Sequence, residues 1–169
     1  YDRRSDSLWS QLKMAAVSGK HAGDELKWLP SELMTWGAWK AQYPDGRVLS
    51  TDTGFSRNYD SQGYAGYEST PETMFPVPIH RPDLPNKAWV VGILVNGTAK
   101  AYARDALAAL PEGTLEDHVG GETITVTYDA DAMHAKITGP EGAAIPNVSA
   151  YWFAWQAFYP ETELFAGRN

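Results

Sequence analysis

Six residues of this chain have types suited to acting together: Asp52, Arg57, Tyr59, Tyr64, Tyr67 and His80, all within residues 51–85. A guanidinium presents a planar, bidentate fork. Arg57 beside Asp52, Asp60 and several tyrosines therefore reads either as an anion or carboxylate clamp, or as an ion pair that pins the segment to the core. Tyr64 and Tyr67 are residues that stack on a ligand or plug a loop into a surface. The segment has no sustained hydrophobic period. Gly, Pro, Asp, Ser and Tyr fill it, with Phe55, Met74, Phe75 and Ile79 as apolar anchors. So long a stretch without regular structure is uncommon in a compact domain unless it binds something or wraps the core.

Other chemistries find little support. His21, His80, His118 and His134 lack the spacing that places two imidazoles on one metal. Asp129-Ala130-Asp131 with His134 comes nearest to a ligand cluster, and carboxylates two apart after a strand read more simply as turn residues. With zero cysteines the chain has no disulfide, thiolate metal site or cysteine nucleophile. No glycine-rich phosphate loop, Gly-x-Ser-x-Gly elbow or His-Glu-x-x-His occurs, so no catalytic residue, metal or cofactor is assigned. The net charge of −7, with no basic stripe, argues against nucleic acid. No apolar run of about 18 residues is present, so this chain is expected to hold no transmembrane segment, although peripheral membrane association stays open. A start at Tyr1 reads as a mature or truncated form of something longer.

The elements that must position these residues are organised around a stretch that occurs twice. Trp36-Gly37-Ala38-Trp39-Lys40-Ala41-Gln42-Tyr43-Pro44-Asp45 returns as Trp152-Phe153-Ala154-Trp155-Gln156-Ala157-Phe158-Tyr159-Pro160-Glu161. Pro30 and Val48 pair with Pro146 and Leu164 at the same offset. This predicts an internal duplication, residues 30–49 and 146–165, with two equivalent short Trp-rich helices. Ser31 would cap the first and Asn147 or Ser149 the second, and each helix stops before a proline. Spacings of three and four place Trp36, Trp39 and Tyr43 on one face, and Trp152, Trp155 and Tyr159 on the other copy's face. Such stripes either line a ligand groove, as aromatics do in sugar or choline sites, or form the core face of a packing helix. The core reading is preferred, with all four tryptophans largely buried.

Elsewhere, alternation over Ser7 to Lys13 and again at Leu26 and Trp28 predicts two strands, and Arg47 to Ser50 a third short one. Val90 to Val95 and Thr98 to Tyr102 flank Asn96-Gly97, the dipeptide suited to a type I′ β-hairpin turn. Ala103 to Leu110 is helix-prone, while Thr123 to Tyr128 and Met133 to Thr138 read as strands. The fold class is α+β, strand-rich and antiparallel, in a single compact domain over residues 1–169 with a long loop at 51–85.

Tyr1-Asp2-Arg3, Ser7-Leu8-Trp9-Ser10-Gln11, Thr35-Trp36-Gly37-Ala38-Trp39, Asp52-Thr53-Gly54, Arg57-Asn58-Tyr59, Phe75-Pro76 and Trp152-Phe153-Ala154-Trp155 together resemble an uncharacterised prokaryotic family, domain of unknown function three-one-seven-nine. The resemblance covers nearly the whole chain, and Ser-Leu-Trp-Ser-Gln is its most specific piece. It implies that this chain is similar to the C-terminal portion of larger members, without an upstream half that carries a Cys-Pro-x-Cys segment. Where that half would place cysteines this chain has Asp129-Ala130-Asp131, and Tyr43 stands where members often have His. The resemblance implies exported relatives and no particular reaction. The expected function is a non-catalytic, periplasmic or otherwise extracytoplasmic binding or accessory subunit that contacts another protein, within a larger membrane-associated assembly. The alternative is an enzyme or small-ligand receptor with its site around Asp52, Arg57, Tyr59 and His80.

Overall fold

The computed structural model describes residues 1–61, 63–77 and 81–167. In chain order, β1 (Leu8–Ser10) and β2 (Ala15–Ser18) form a small antiparallel hairpin. Irregular chain carrying α1 (Trp36–Gln42) and α2 (Ala65–Glu68) follows. Next come β3 (Trp89–Val95), β4 (Thr98–Ala103), α3 (Arg104–Ala108), β5 (Thr114–Val119), β6 (Glu122–Asp129) and β7 (His134–Thr138). A turn of 3₁₀ helix at Pro140–Gly142 leads to β8 (Asn147–Tyr151), α4 (Trp152–Phe158) and β9 (Glu163–Phe165). The larger sheets run β8-β3-β4-β9 and β5-β6-β7. All pairings are antiparallel except that of β4 with β9. The described residues thus form a strand-rich α+β fold.

Asn96 and Gly97 adopt φ of 47° and 81°, the left-handed pair that a type I′ turn needs, and Val95 sits opposite Thr98. The β5–β6 turn at Gly120-Gly121 docks against this hairpin, with the Asn96 side-chain amide donating to Gly120 O at 3.1 Å and to Glu122 Oε1 at 2.9 Å. Successive side chains of a strand face opposite ways. One face of β3 accordingly sends Val91, Ile93 and Val95 into a core with Leu107, Val119, Ile124, Val126 and Ile137. Its other face places Val90 against Ala101, Trp152 and Trp155.

The two Trp helices share a local geometry. Tyr43 and Tyr159 end them with φ/ψ of −125°/70° and −128°/70°. Tyr43 N–H donates to Trp39 O and Gly46 N–H to Tyr43 O, while Tyr159 N–H donates to Trp155 O and Thr162 N–H to Tyr159 O. Their settings differ. Trp152 and Trp155 are fully buried on the β3–β4 sheet, whereas Trp36 is 56% exposed and α1 buries no residue. The expectation of four buried tryptophans fails for α1 because no sheet lies beneath its stripe, and the structure does not confirm the duplication.

Other local expectations are corrected. Thr35, not Ser31, caps α1, accepting from Ala38 N–H at 3.3 Å. Asn147 and Ser149 do not cap α4 but lie in β8, paired with β3, and α4 has no side-chain cap. The second strand of the first hairpin is β2, and Leu26 only donates its N–H to Met14 O. Arg47 to Ser50 is not a strand; Leu49 is 99% exposed. β5, β8 and β9 escaped the sequence reading.

Candidate functional site

Apart from Ala16, every buried apolar residue described lies between Val77 and Trp155. Residues 29–75, by contrast, carry most of the large apolar side chains that face solvent: Leu29, Leu33, Trp36, Tyr43, Val48, Leu49, Phe55, Tyr59, Tyr64, Met74 and Phe75. The accessible surface of the chain is 11629 Å². That exceeds the roughly 8,200 Å² typical of a folded monomer of this mass. An apolar, aromatic strap on the outside of a strand-rich core is thus the main feature left unexplained by folding alone.

The strap is fixed at its end by cations. Lys87, at the entry to β3, donates to Tyr67 O, to Thr70 O at 2.6 Å and to Thr70 Oγ1 at 3.1 Å, with its ammonium 3.5 Å from the Tyr67 ring centre. One carbonyl in the last turn of α2, Tyr67 O, and that of Thr70 just beyond it thereby accept from a charge that also sits on a π face. Phe75 meets Phe153 edge to face at 6.4 Å, and the aromatic contacts continue through Tyr151 to Trp89. Burial first, and then the negative charge of Glu68, raises the Tyr151 phenol above its ordinary pKa. Arg81 holds the chain to α4 and the segment after it. Its backbone N–H bonds Gln156 Oε1, its side chain bonds Pro160 O and Thr162 O, and its carbonyl accepts from Trp152 Nε1.

The sequence-derived candidates are distributed along this strap. Asp52 and Arg57 are exposed, and no ion pair joins Arg57 to Asp52 or Asp60. Tyr59 is held locally, its hydroxyl 2.6 Å from Thr53 Oγ1. Tyr64 precedes α2 and is exposed, while Tyr67 is half-buried under Lys87. His80 lies outside the described residues. The structure therefore joins Tyr67 to Lys87 but does not gather Arg57, Asp52 and Tyr59 around one space. Sequence reasoning missed Lys87 and Arg81; Lys87 stands two residues before the apolar run of β3, which was the available signal, while Arg81 lies in a Pro-containing loop with no such mark.

A charged network lies on the other side of β4. Lys100 Nζ is 2.8 Å from Asp117 Oδ2 and 3.2 Å from Glu163 Oε2, and the buried Tyr102 hydroxyl donates to Asp117 Oδ2 at 2.9 Å. Partial burial opposes the Asp117 charge, yet the Lys100, Tyr102 and His118 N–H bonds outweigh it and hold the carboxyl below its ordinary value. Burial first, then the bond to Asp117, pushes the Tyr102 phenol far up. Each group already has its partner, so the network ties β4 to β5 and β9 and leaves no free base or nucleophile. An open cavity of about 740 Å³ lies beside α3 and Phe165, and one of about 390 Å³ lies beside Leu12, Leu26 and Trp28 and reaches the start of the strap at Leu29 and Ser31. Among the described residues, no group of three or more His, Cys, Asp or Glu is arranged to hold a metal ion, and no helix is long and apolar enough to cross a membrane.

No curated protein and no solved structure matches the chain. Residues 1–142 match the family model described as Protein of unknown function (DUF3179), a span that takes in the strap, the hairpin and the β5–β7 meander and stops before β8. The chain belongs to that family.

Proposed function

We propose that the protein is a non-catalytic binding or accessory subunit that meets another protein through the strap at residues 29–75. The observation that carries this reading is the concentration of exposed aromatic and aliphatic side chains on that one segment. Contiguous apolar surface beyond a few hundred Å² on a monomer marks an interaction site more often than it marks chance. The excess over the surface expected for this mass, about 3,400 Å², is several times the roughly 800 Å² that one partner contributes to a standard interface. An extracytoplasmic setting and a place in a larger membrane-associated assembly belong to the same proposal and rest on the family resemblance. The alternative is an enzyme or small-ligand receptor with its site around Asp52, Arg57, Tyr59 and His80; a cleft holding Arg57 and His80 within reach of one space would favour it, and His80 lies outside the described residues.

Phe55 and Tyr64 are exposed and make no core contact, so Phe55→Ser and Tyr64→Ser separate the surface from the fold. Both variants are expected to keep the wild-type melting temperature and to lose a stoichiometric partner that co-purifies with the native protein. A wild-type protein that purifies alone, or variants that retain the partner fully, would count against the reading.

A further inference from the structure

The stripe of α1 borders an open cavity of about 430 Å³, lined by Pro30, Glu32, Met34, Trp39 and Tyr43. Trp39 and Tyr43 stand one helical turn apart, their ring centres 5.7 Å from one another and their planes at 42°, so they form two walls of a corner. Trp39 is fixed from two sides. Trp36 stacks on it at 5.0 Å with planes 19° apart, and Gly46 approaches so closely that a Cβ there would lie 2.1 Å from the indole. The segment bearing Glu32 is pinned by the hydrogen bond from Thr35 N–H to Ala132 O at 2.8 Å, and Glu32 Oε1 lies 3.5 Å from His134 Nε2.

The chemistry of this corner selects its occupant. Aromatic faces carry the negative side of the ring quadrupole and attract cations. Glu32 adds a formal negative charge, the Met34 thioether is polarizable, and none of the five lining residues is basic. An anion would be repelled. A neutral sugar needs several directional hydrogen bonds, for which these side chains supply one carboxylate and one phenol. On α4 the corresponding ring is buried against Gly92, so the helix geometry that fills a core there leaves an open aromatic corner on α1. We infer that this corner binds an alkylammonium cation, its charge against Glu32 and its methyl groups or methylenes against Trp39 and Tyr43.

Titration calorimetry with choline chloride tests the inference, with 3,3-dimethylbutanol as the neutral probe of the same shape. Choline is expected to bind the full chain saturably and the alcohol not to bind. Glu32→Gln and Tyr43→Leu each weaken choline about fivefold or more, at unchanged melting temperature. Two variants on different elements keep the test valid if one of them misfolds. Equal binding of choline and the alcohol, no binding of choline, or variants that bind choline as wild type does would overturn the assignment. Sedimentation with phosphatidylcholine vesicles identifies the source. Binding that free choline competes away points to a lipid headgroup, and choline binding without vesicle binding points to a soluble ammonium compound.

Discussion

The indole of Trp155 lies face on against the backbone of Gly92: a Cβ at Gly92 would come within 2.4 Å of ring carbons Cε3 and Cζ3. Strand β3 thus has a hole in its side-chain row that one ring fills. Gly92→Ala must displace Trp155 or bend β3, and overpacking of this kind costs about 1–3 kcal/mol. A urea-unfolding midpoint indistinguishable from wild type would contradict this packing.

Truncation of the paired tryptophans should separate the two helices. Trp152→Ala removes a fully buried ring and is expected to cost about 3–5 kcal/mol. Trp36→Ala, on the exposed face of α1, should cost less than about 1 kcal/mol. Similar losses at both positions would show that α1 is packed as α4 is.

Much of the fold was legible because local chemistry decided it. Asn96-Gly97 dictates its turn through two positive φ values, and the alternation of β6 survives as a strand with one buried face. What failed depended on distant partners. Trp36 and Trp152 sit in matching local sequence and matching helix geometry, yet only Trp152 finds β3 and β4 beneath it, and no periodicity within the helix encodes that. β8 and β9 are short edge strands whose existence depends on pairing with β3 and β4. The strap was recognisable from its missing period. Its fastening by Lys87 was not, because that contact spans 17 to 20 residues of sequence.

Asn96 stands in the left-handed region and ties two turns together. Asn96→Ala adds backbone strain and deletes both side-chain bonds, for a loss of about 1–2 kcal/mol. Asn96→Gly keeps the conformation and should fall between the alanine variant and wild type. Thermal unfolding of the three proteins gives the order directly.

The Asp117 network predicts an acid dependence. Its folded carboxyl lies below the ordinary value, so its contribution is present above the unfolded value of about 3.9 and is lost as pH falls through the lower, folded one. Asp117→Asn should lower stability near neutrality by about 1–3 kcal/mol. It should also flatten the decline of the wild-type urea midpoint below that unfolded value. A variant whose decline matches wild type would remove Asp117 from the account.

The central claim is that the strap is a surface held by few contacts until a partner covers it. Amide hydrogen exchange of the isolated protein tests it most directly, because sparse burial gives a low local opening free energy. Amides of residues 29–61 and 63–75 are expected to exchange far faster than those of β3 and β4, and to slow when the co-purified partner is restored, since a partner that binds only the ordered form stabilises it. A strap as protected in isolation as the Asn96-Gly97 hairpin would contradict the account.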